Sequence, residues 1–456
     1  MFRTSTAKRL LRATAIAAVA SVAVLGLASC SGSSAGSAGS ATSGNITWWG
    51  WTPQPTNAKA YIADFNKKYP NIHVTYKQVT IDGWNAALRP ALASSNGPDV
   101  FNISPGQYMT AFAGSAIDLK PAVEKALGSD WKSKLAPTNV TGLSTSSGKL
   151  AAVSAGSTSA GSLWINENLF KKYDLKPPTT LAEWKNVCSV FKSHNVGCFV
   201  QGVGQVAFDQ DTLQAIADSV SPGIWTKATE GKAKWTDPVF VKTLDIWQSM
   251  FKDGIFEAGA LGVQQYPDAS NDFMSQKDAM VMMGTWYMQY ATVVGMQAAI
   301  SAAGVGTPVN FPILPEAFPD VAGKGNPATL FGDSDYGLAV NAKSNHVAAA
   351  TTFAVWLGTS KVGQQAIADG LNDIPSLKGI NPNFDAIKLV DPATQKAPLV
   401  NLIKQASASA EPRLSPVSAN LQTAIGVAAT TVAAGSATPA QAVKTLQSAS
   451  TSAGSN

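Results

Sequence analysis

The sequence predicts an α/β fold with parallel strands, on two observations. Residues 45–105 alternate short strand-like runs with helical runs in the order β-α-β-α-β, a pattern that lays parallel strands side by side with helices across their faces. The chain has 456 residues, past the roughly 250–300 at which one hydrophobic core stops growing, so two domains are expected.

The first strand is "ITWWGW", residues 46–51. Its period of two puts Trp49 and Trp51 on one face and Trp48 on the other. In "NAKAYIADFNKKY", residues 57–69, Ala60, Tyr61, Phe65 and Tyr69 share a helical face; Asn57 is the expected cap and Pro70 the stop. "NIHVTYKQVT" is a second strand, with Ile72, Val74 and Tyr76 on one face. "GWNAALRPALASSNG" has helical tendency, with a kink or restart expected at Pro90. "PDVFNIS" closes the unit as a short strand. Farther on, "GKLAAVSAGS", "GSLWIN", "KDAMVMMGTW" and "YGLAVNA" read as strands. Residues 180–194, 346–357 and "TDPVFVKTLDIWQSMFKDG" read as helices, the last with Phe240, Leu244, Trp247 and Phe251 at helical spacing. Thr438-Pro439-Ala440-Gln441 opens a final helix as a capping box with Pro at its first position. Trp184, Trp235 and Trp356 are assigned to packing.

The net charge of +5 is an N-terminal property. Residues 1–29 hold Arg3, Lys8, Arg9 and Arg12 and no acid; without them Lys+Arg and Asp+Glu stand at 30 against 29. Nothing here suggests nucleic acid. "MFRTSTAKRLLR" followed by "ATAIAAVASVAVLGLA" has the charged and apolar regions of a secretory leader. The "LASC" that ends it, residues 27–30, resembles the lipobox of bacterial lipoproteins, which implies residues 1–29 as a lipoprotein signal peptide and Cys30 as the lipid-bearing residue. Residues 30–44, rich in Ser, Gly and Ala, are expected to be a flexible tether. The literal G-x-S-x-G at Gly32–Gly36 lacks the strand and helix a nucleophile elbow needs. Cys188 and Cys198 remain, an even pair that suggests a disulfide in an oxidising compartment, with two buried thiols as the alternative. The only histidines, His73, His194 and His346, form no metal motif, and no cofactor is expected.

Several segments, in order, resemble the extracellular solute-binding proteins of ABC importers, in the sugar-binding group around maltose-binding protein. They are "ITWWGW", "YIADFNKKYPNIHVTY", "ALASSNGPDVF", "FAGSAIDLKPAVE", "GKLAAVS", "LWINENLFKKYDLKPPTTLAEW", "FMSQKDAMVMMGTW", "YGLAVNAKSNHVAAATTFAVWL" and "TPAQAVKTLQSA", spanning nearly all of residues 45–450. The resemblance implies a two-lobed periplasmic-binding-protein-like fold, with parallel-rich sheets in each lobe, hinge crossovers and a ligand cleft between lobes. One lobe would be 45–155 plus 302–344 and the other 156–301 plus 345–456. It also implies a monomer held by its lipid on the outer face of the bacterial cell membrane, passing a carbohydrate to membrane permease subunits. The chain departs from the family at Trp164-Ile165-Asn166, where Tyr-Asn is usual, and at Pro90.

A sugar presents hydroxyls at its rim and an apolar C–H face, so its site needs flat aromatics and planar polar groups. The candidates are Trp48, Trp49 and Trp51 at the first strand; Ser104 and Gln107 after the third; Trp164 and Asn166 near the first crossover; Trp286 and Tyr287 in "GTWYMQY"; and Asp333, Asp335 and Tyr336 in "FGDSDYGLAV". Packing is the competing role for the tryptophans, and a solvated turn for the aspartates. Asp99 reads as a structural residue of its turn. Two other functions compete. An aromatic cage also suits a quaternary ammonium compound. An exported glycosidase would need two separated carboxylates, and Asp333 and Asp335 lie too close along the chain to flank a bond; a non-enzyme is expected.

Overall fold

The computed structural model describes residues 39–452. The predicted signal peptide, Cys30 and the tether up to residue 38 lie outside the described residues. The tether's last residues are part of the fold: the Ala41 carbonyl accepts a hydrogen bond from Thr352 Oγ1 at 2.8 Å, and the first strand begins at Gly44.

Twelve strands are described: β1 (Gly44–Gly50), β2 (Ile72–Gln78), β3 (Val100–Ile103), β4 (Val153–Ser154), β5 (Gly156–Ala160), β6 (Ser162–Asn166), β7 (Gly197–Val200), β8 (Asp278–Met283), β9 (Ile313–Ala317), β10 (Phe331–Ser334), β11 (Gly337–Val340) and β12 (Ile374–Pro375). They form three sheets, ordered β2-β1-β3-β11-β4, β7-β8-β6-β9 and β10-β5-β12. The first two sheets are the centres of the two lobes. The third lies on the crossings, because β4, β5 and β6 follow one another along 153–166 and belong in turn to the first, third and second sheets.

Each central sheet is parallel-rich, as expected, with a single reversed strand. In the first sheet β2, β1, β3 and β4 run one way and β11 runs against them; in the second β7, β8 and β9 run one way and β6 runs against them. The reversed strands β6 and β11 each follow directly on a strand of the third sheet, β5 and β10, and so enter by a short turn and not by a crossover helix.

Each central sheet is covered on both faces. Ile46, Trp48 and Tyr336 pack with Phe353 and Trp356 on one side of the first sheet, and Phe101 packs with Trp84 and Phe112 on the other. The second sheet has Phe199 with Trp184 and Trp247 on one side, and Val281 with Trp164 and Tyr287 on the other. This distribution differs from the expected lobe boundaries. β9 pairs with β6 in the second sheet, whereas the helices Val347–Thr359 and Lys361–Asp369 bury Ala350, Phe353 and Ile367 in the core around β1. An apolar helix packs on whichever sheet face is open to it, and chain order does not say which.

Local readings mostly match the elements. The helix Pro55–Lys68 buries Ala58, Tyr61 and Phe65, but it starts before Asn57; Pro55 takes the first position, and Asn57 Nδ2 instead bonds the Gly370 carbonyl at 3.2 Å. The helix Trp84–Ala93 runs through Pro90, which sits in its last turn where little of the ladder remains to be lost. The capping box is present: Gln441 N donates to Thr438 Oγ1 at 3.3 Å and Thr438 N to Gln441 Oε1 at 2.9 Å. Cys188 and Cys198 are bonded, tying the helix Leu181–Ser193 to β7, a short loop whose closure contributes on the order of 2–3 kcal/mol. Asp99 accepts from Thr47 N at 2.8 Å and Ser344 Oγ at 2.5 Å, the structural role expected of it. Among the described residues no helix is long and apolar enough to cross a membrane.

Candidate functional site

β1, β2 and β3 end at one edge of the first sheet, where β11 begins, and β7 and β8 end together in the second. The loops leaving those ends face one another across a cleft of about 670 Å³. Ligands of α/β folds bind at such ends because the loops there are free to vary while the strands hold them in place.

Asn102 sets the first-lobe wall. Trp48 Nε1 donates to its Oδ1 at 2.8 Å, and its Nδ2 donates to the Thr52 carbonyl at 2.6 Å. The amide thereby ties the buried indole to the turn after β1. Gly50 is required in this turn, since a Cβ there would sit 2.5 Å from Asn102 Nδ2. The turn brings Trp51 into the cleft, edge-on to Trp84 at 5.2 Å and against Tyr108 at 5.2 Å. Ser104 and Gln107 line the same wall.

Distant segments assemble the second wall. Trp286 Nε1 donates to Tyr266 Oη at 3.1 Å, and the Arg413 guanidinium lies over the Trp286 ring at 4.7 Å. Arg413 is gripped by Asp211 through Nε and Nη2, both at 2.7 Å, with the two side chains 12% and 4% exposed. A bidentate pair this dry fixes both position and plane. Burial raises the Asp211 carboxyl while Arg413 pulls it back down. Burial, then the Asp211 charge, pushes neighbouring Asp209 well above the carboxylate range. Asp333 holds the rest of this strap: its carboxylate accepts from Leu414 N at 2.6 Å, and from Ser415 N and Ser415 Oγ, each at 2.8 Å.

Contacts also cross from wall to wall. Gln54 Nε2 donates to Tyr290 Oη at 2.9 Å, and Gln205 Nε2 donates to Asp82 Oδ1. Gln205 is oriented by Tyr266 N, which donates to its Oε1 at 3.1 Å. Burial pushes both Tyr108 and Tyr290 up to about 12, with Asp82 adding to the rise at Tyr108. Both phenols therefore stay neutral, able to donate and accept.

Of the residues singled out from sequence, Trp51, Ser104, Gln107, Trp286, Asp333 and Asp335 come together on the cleft. The others do not. Trp48 is fully buried among Tyr76, Tyr336 and Phe353. Trp49 lies under Lys77 Nζ at 3.9 Å, its partner across the β1–β2 ladder, and is outside the cleft lining. Trp164 and Tyr287 pack edge-to-face in the second lobe's core, and Tyr336 is buried in the first. Asn166 is a helix cap, accepting from Leu169 N at 3.3 Å. For Trp48 and Trp164 a strand's side-chain alternation turned the residue inward. Asp333 reaches the cleft with its oxygens already occupied by the strap.

Sequence reasoning did not select Phe208, Asp211, Gln205, Tyr266, Tyr290 or Arg413. One signal was present. The helix Val206–Val220 carries Asp209, Gln210, Asp211, Gln214 and Asp218 among apolar residues, and all five are buried. Buried carboxylates and amides demand partners, and residues 412–413 supply them to three of the five: Arg413 pairs with Asp211, Gln210 Nε2 donates to the Arg413 carbonyl at 2.7 Å and Gln214 Nε2 to that of Pro412 at 3.3 Å.

Comparison with known proteins follows the same outline. Residues 49–364 match the family model of bacterial extracellular solute-binding proteins. A galactooligosaccharide-binding protein of Bacillus subtilis (strain 168) is 24% identical over 287 residues, 62% of this chain; the match spans 61% of that protein's length. A chitin oligosaccharide binding protein superposes with a TM-score of 0.68 at 18% identity, covering 91% of this chain and 100% of that one. An ABC substrate-binding protein from Listeria monocytogenes, in complex with cycloalternan, gives a TM-score of 0.68 at 17% identity, covering 90% and 99%. These likenesses show the fold, a mixed α/β protein of two lobes.

Proposed function

The chain belongs to the bacterial extracellular solute-binding proteins, and from that premise we propose that it is the lipid-anchored binding component of an ABC importer for a carbohydrate. The cleft carries this reading. Trp51 and Trp286 stand on opposite walls, each offering apolar ring surface, and the space between is edged by amides and neutral phenols such as Gln54, Gln107 and Tyr290. Stacked aromatics suit the C–H faces of a sugar, and groups that both donate and accept suit its hydroxyls. The oligosaccharide ligand named for the Bacillus relative supports the same class. On this reading binding needs no catalytic step: closure about the hinge follows from ligand contacts on both lobes, and the closed protein delivers its cargo to the permease. Cys30 would bear the lipid, holding the protein outside the cell membrane.

Calorimetry against a panel of mono- and oligosaccharides, with betaine and choline as a separate arm, tests the proposal. Saccharide binding should fall about 30-fold or more for both Trp51→Ala and Trp286→Ala, the loss usual for a central aromatic contact. Absence of any saccharide affinity better than millimolar, or preference for the ammonium arm, overturns it. Cys30→Ser should release the protein from the membrane fraction.

A further inference from the structure

The hinge sheet brings together two carboxyl groups that lie far apart in sequence. Asp335 leaves β10 with its amide bonded to the Gly156 carbonyl at 3.0 Å. Asp373 enters β12, where Ile374 pairs with Ser157 and Pro375 with Gly156. Both residues therefore meet at the start of β5. The missing side chain at Gly156 allows the approach, since a Cβ there would lie 2.7 Å from Asp373 Cβ.

The two environments differ. Asp335 is partly exposed and lines the cleft. Asp373 is 2% exposed; its Oδ2 accepts from Asn372 Nδ2 at 2.6 Å, and its Oδ1 has no donor among the described residues. The two carboxyls act on each other at this junction, the Asp335 charge raising Asp373. Two carboxyls brought together under burial cannot both ionise without a large cost, so the pair retains a proton. Burial, then the Asp335 charge, drives Asp373 well above its ordinary range; burial raises Asp335 as well, against the pull of Asp373 and of Arg413. The other titratable groups facing the pair are Tyr61 of the Pro55–Lys68 helix and Tyr336, both pushed upward mainly by their own burial.

We propose that Asp373 is a positioning residue of the cleft: it donates a hydrogen bond to Asp335, aims that carboxylate at the ligand, and ties this acceptor to the hinge strand β12. The chain of contacts continues into the first lobe, because Thr52 Oγ1 donates to Asn372 Oδ1 at 3.2 Å. The acceptor that meets the ligand, the third crossing and the turn that carries Trp51 are thereby one connected unit. This proposal rests on the cleft being the ligand site.

A group whose folded-state pKa lies above its unfolded value contributes stability below the unfolded value and loses it as pH rises toward the folded one. Wild type should therefore lose stability relative to Asp373→Asn as pH rises from about 4, by up to about tenfold in the unfolding constant per pH unit. Denaturant unfolding of the ligand-free full chain between pH 4 and 8 measures this. Parallel pH dependences of wild type and Asp373→Asn overturn the shared proton. With the saccharide bound best in the panel, Asp373→Ala should lose about tenfold in affinity, and Asp373→Asn, whose amide still donates, less than threefold. Equal losses in both variants, or none in either, overturn the positioning role. If no saccharide binds, the carbohydrate reading fails while the unfolding comparison still decides the acid pair.

Discussion

On the first-lobe wall Trp51 rests on Trp84 and Tyr108, its turn set by one buried amide, Asn102. On the second-lobe wall Trp286 is held by Tyr266, Arg413 and, through Arg413, Asp211. The first arrangement is apolar contact between residues within 60 positions of one another. The second is a charge network drawn from residues 211, 266, 286 and 413. Apolar packing is forgiving of small changes, because neighbours slide and refill. A buried ion pair is not, because removing one partner strands the other without water. The second wall should therefore be the brittle one.

The sharpest way to break this contrast is Asp211→Ala. It leaves Arg413 buried and unpaired, and should cost about 3–5 kcal/mol of unfolding free energy, read from urea titration. A loss under about 1 kcal/mol would mean the strap needs no counter-charge, and the two walls would then be alike. Gly284→Ala comes next. A Cβ at Gly284 would overlap both the Trp286 ring and the Ser159 carbonyl of β5, so the indole must leave its place under Arg413 and the β5 backbone must shift with it. Saccharide affinity should fall about tenfold, and the near-ultraviolet circular dichroism of the ligand-free protein should change; unchanged spectra and affinity would show a ring free to move. The smallest effect belongs to Asp82→Ala, which removes the contact to Gln205 across the cleft. Asp82 is exposed, and exposed polar contacts contribute little. Affinity should fall about threefold, with the change in dissociation rather than association, measured by stopped-flow fluorescence. A tenfold or larger loss would move this contact from rim to latch.

The same contrast governs how much of the molecule was readable. The first wall lay within one β-α-β-α-β unit, where strand period two, helix periodicity and the rule of strand carboxyl ends act on neighbours. They put the end of the first strand and the loop after the third at a cleft, with the three tryptophans, Ser104 and Gln107 as candidates. They also separated Trp48 from Trp51 by face, although they did not choose the buried face for Trp48, since both faces of this sheet are covered. Trp49, named as a candidate, misses the cleft because its ring lies against Lys77 across the ladder, and strand register is set by pairing. The second wall offered no such local rule. Arg413 and Asp211 lie 202 residues apart, and nothing in either segment names the other.

The paired cysteines, the capping box at Thr438 and the α/β class were legible in the chain itself, because each depends on residues close to one another along it. The tertiary structure alone decided which sheet the Val347–Thr359 helix covers, which tryptophan reaches the cleft, and that Asp335 meets Asp373. Those outcomes depend on which distant surfaces meet when two cores close, and on the cost of burying a charge without its partner. Local propensity carries no information about either.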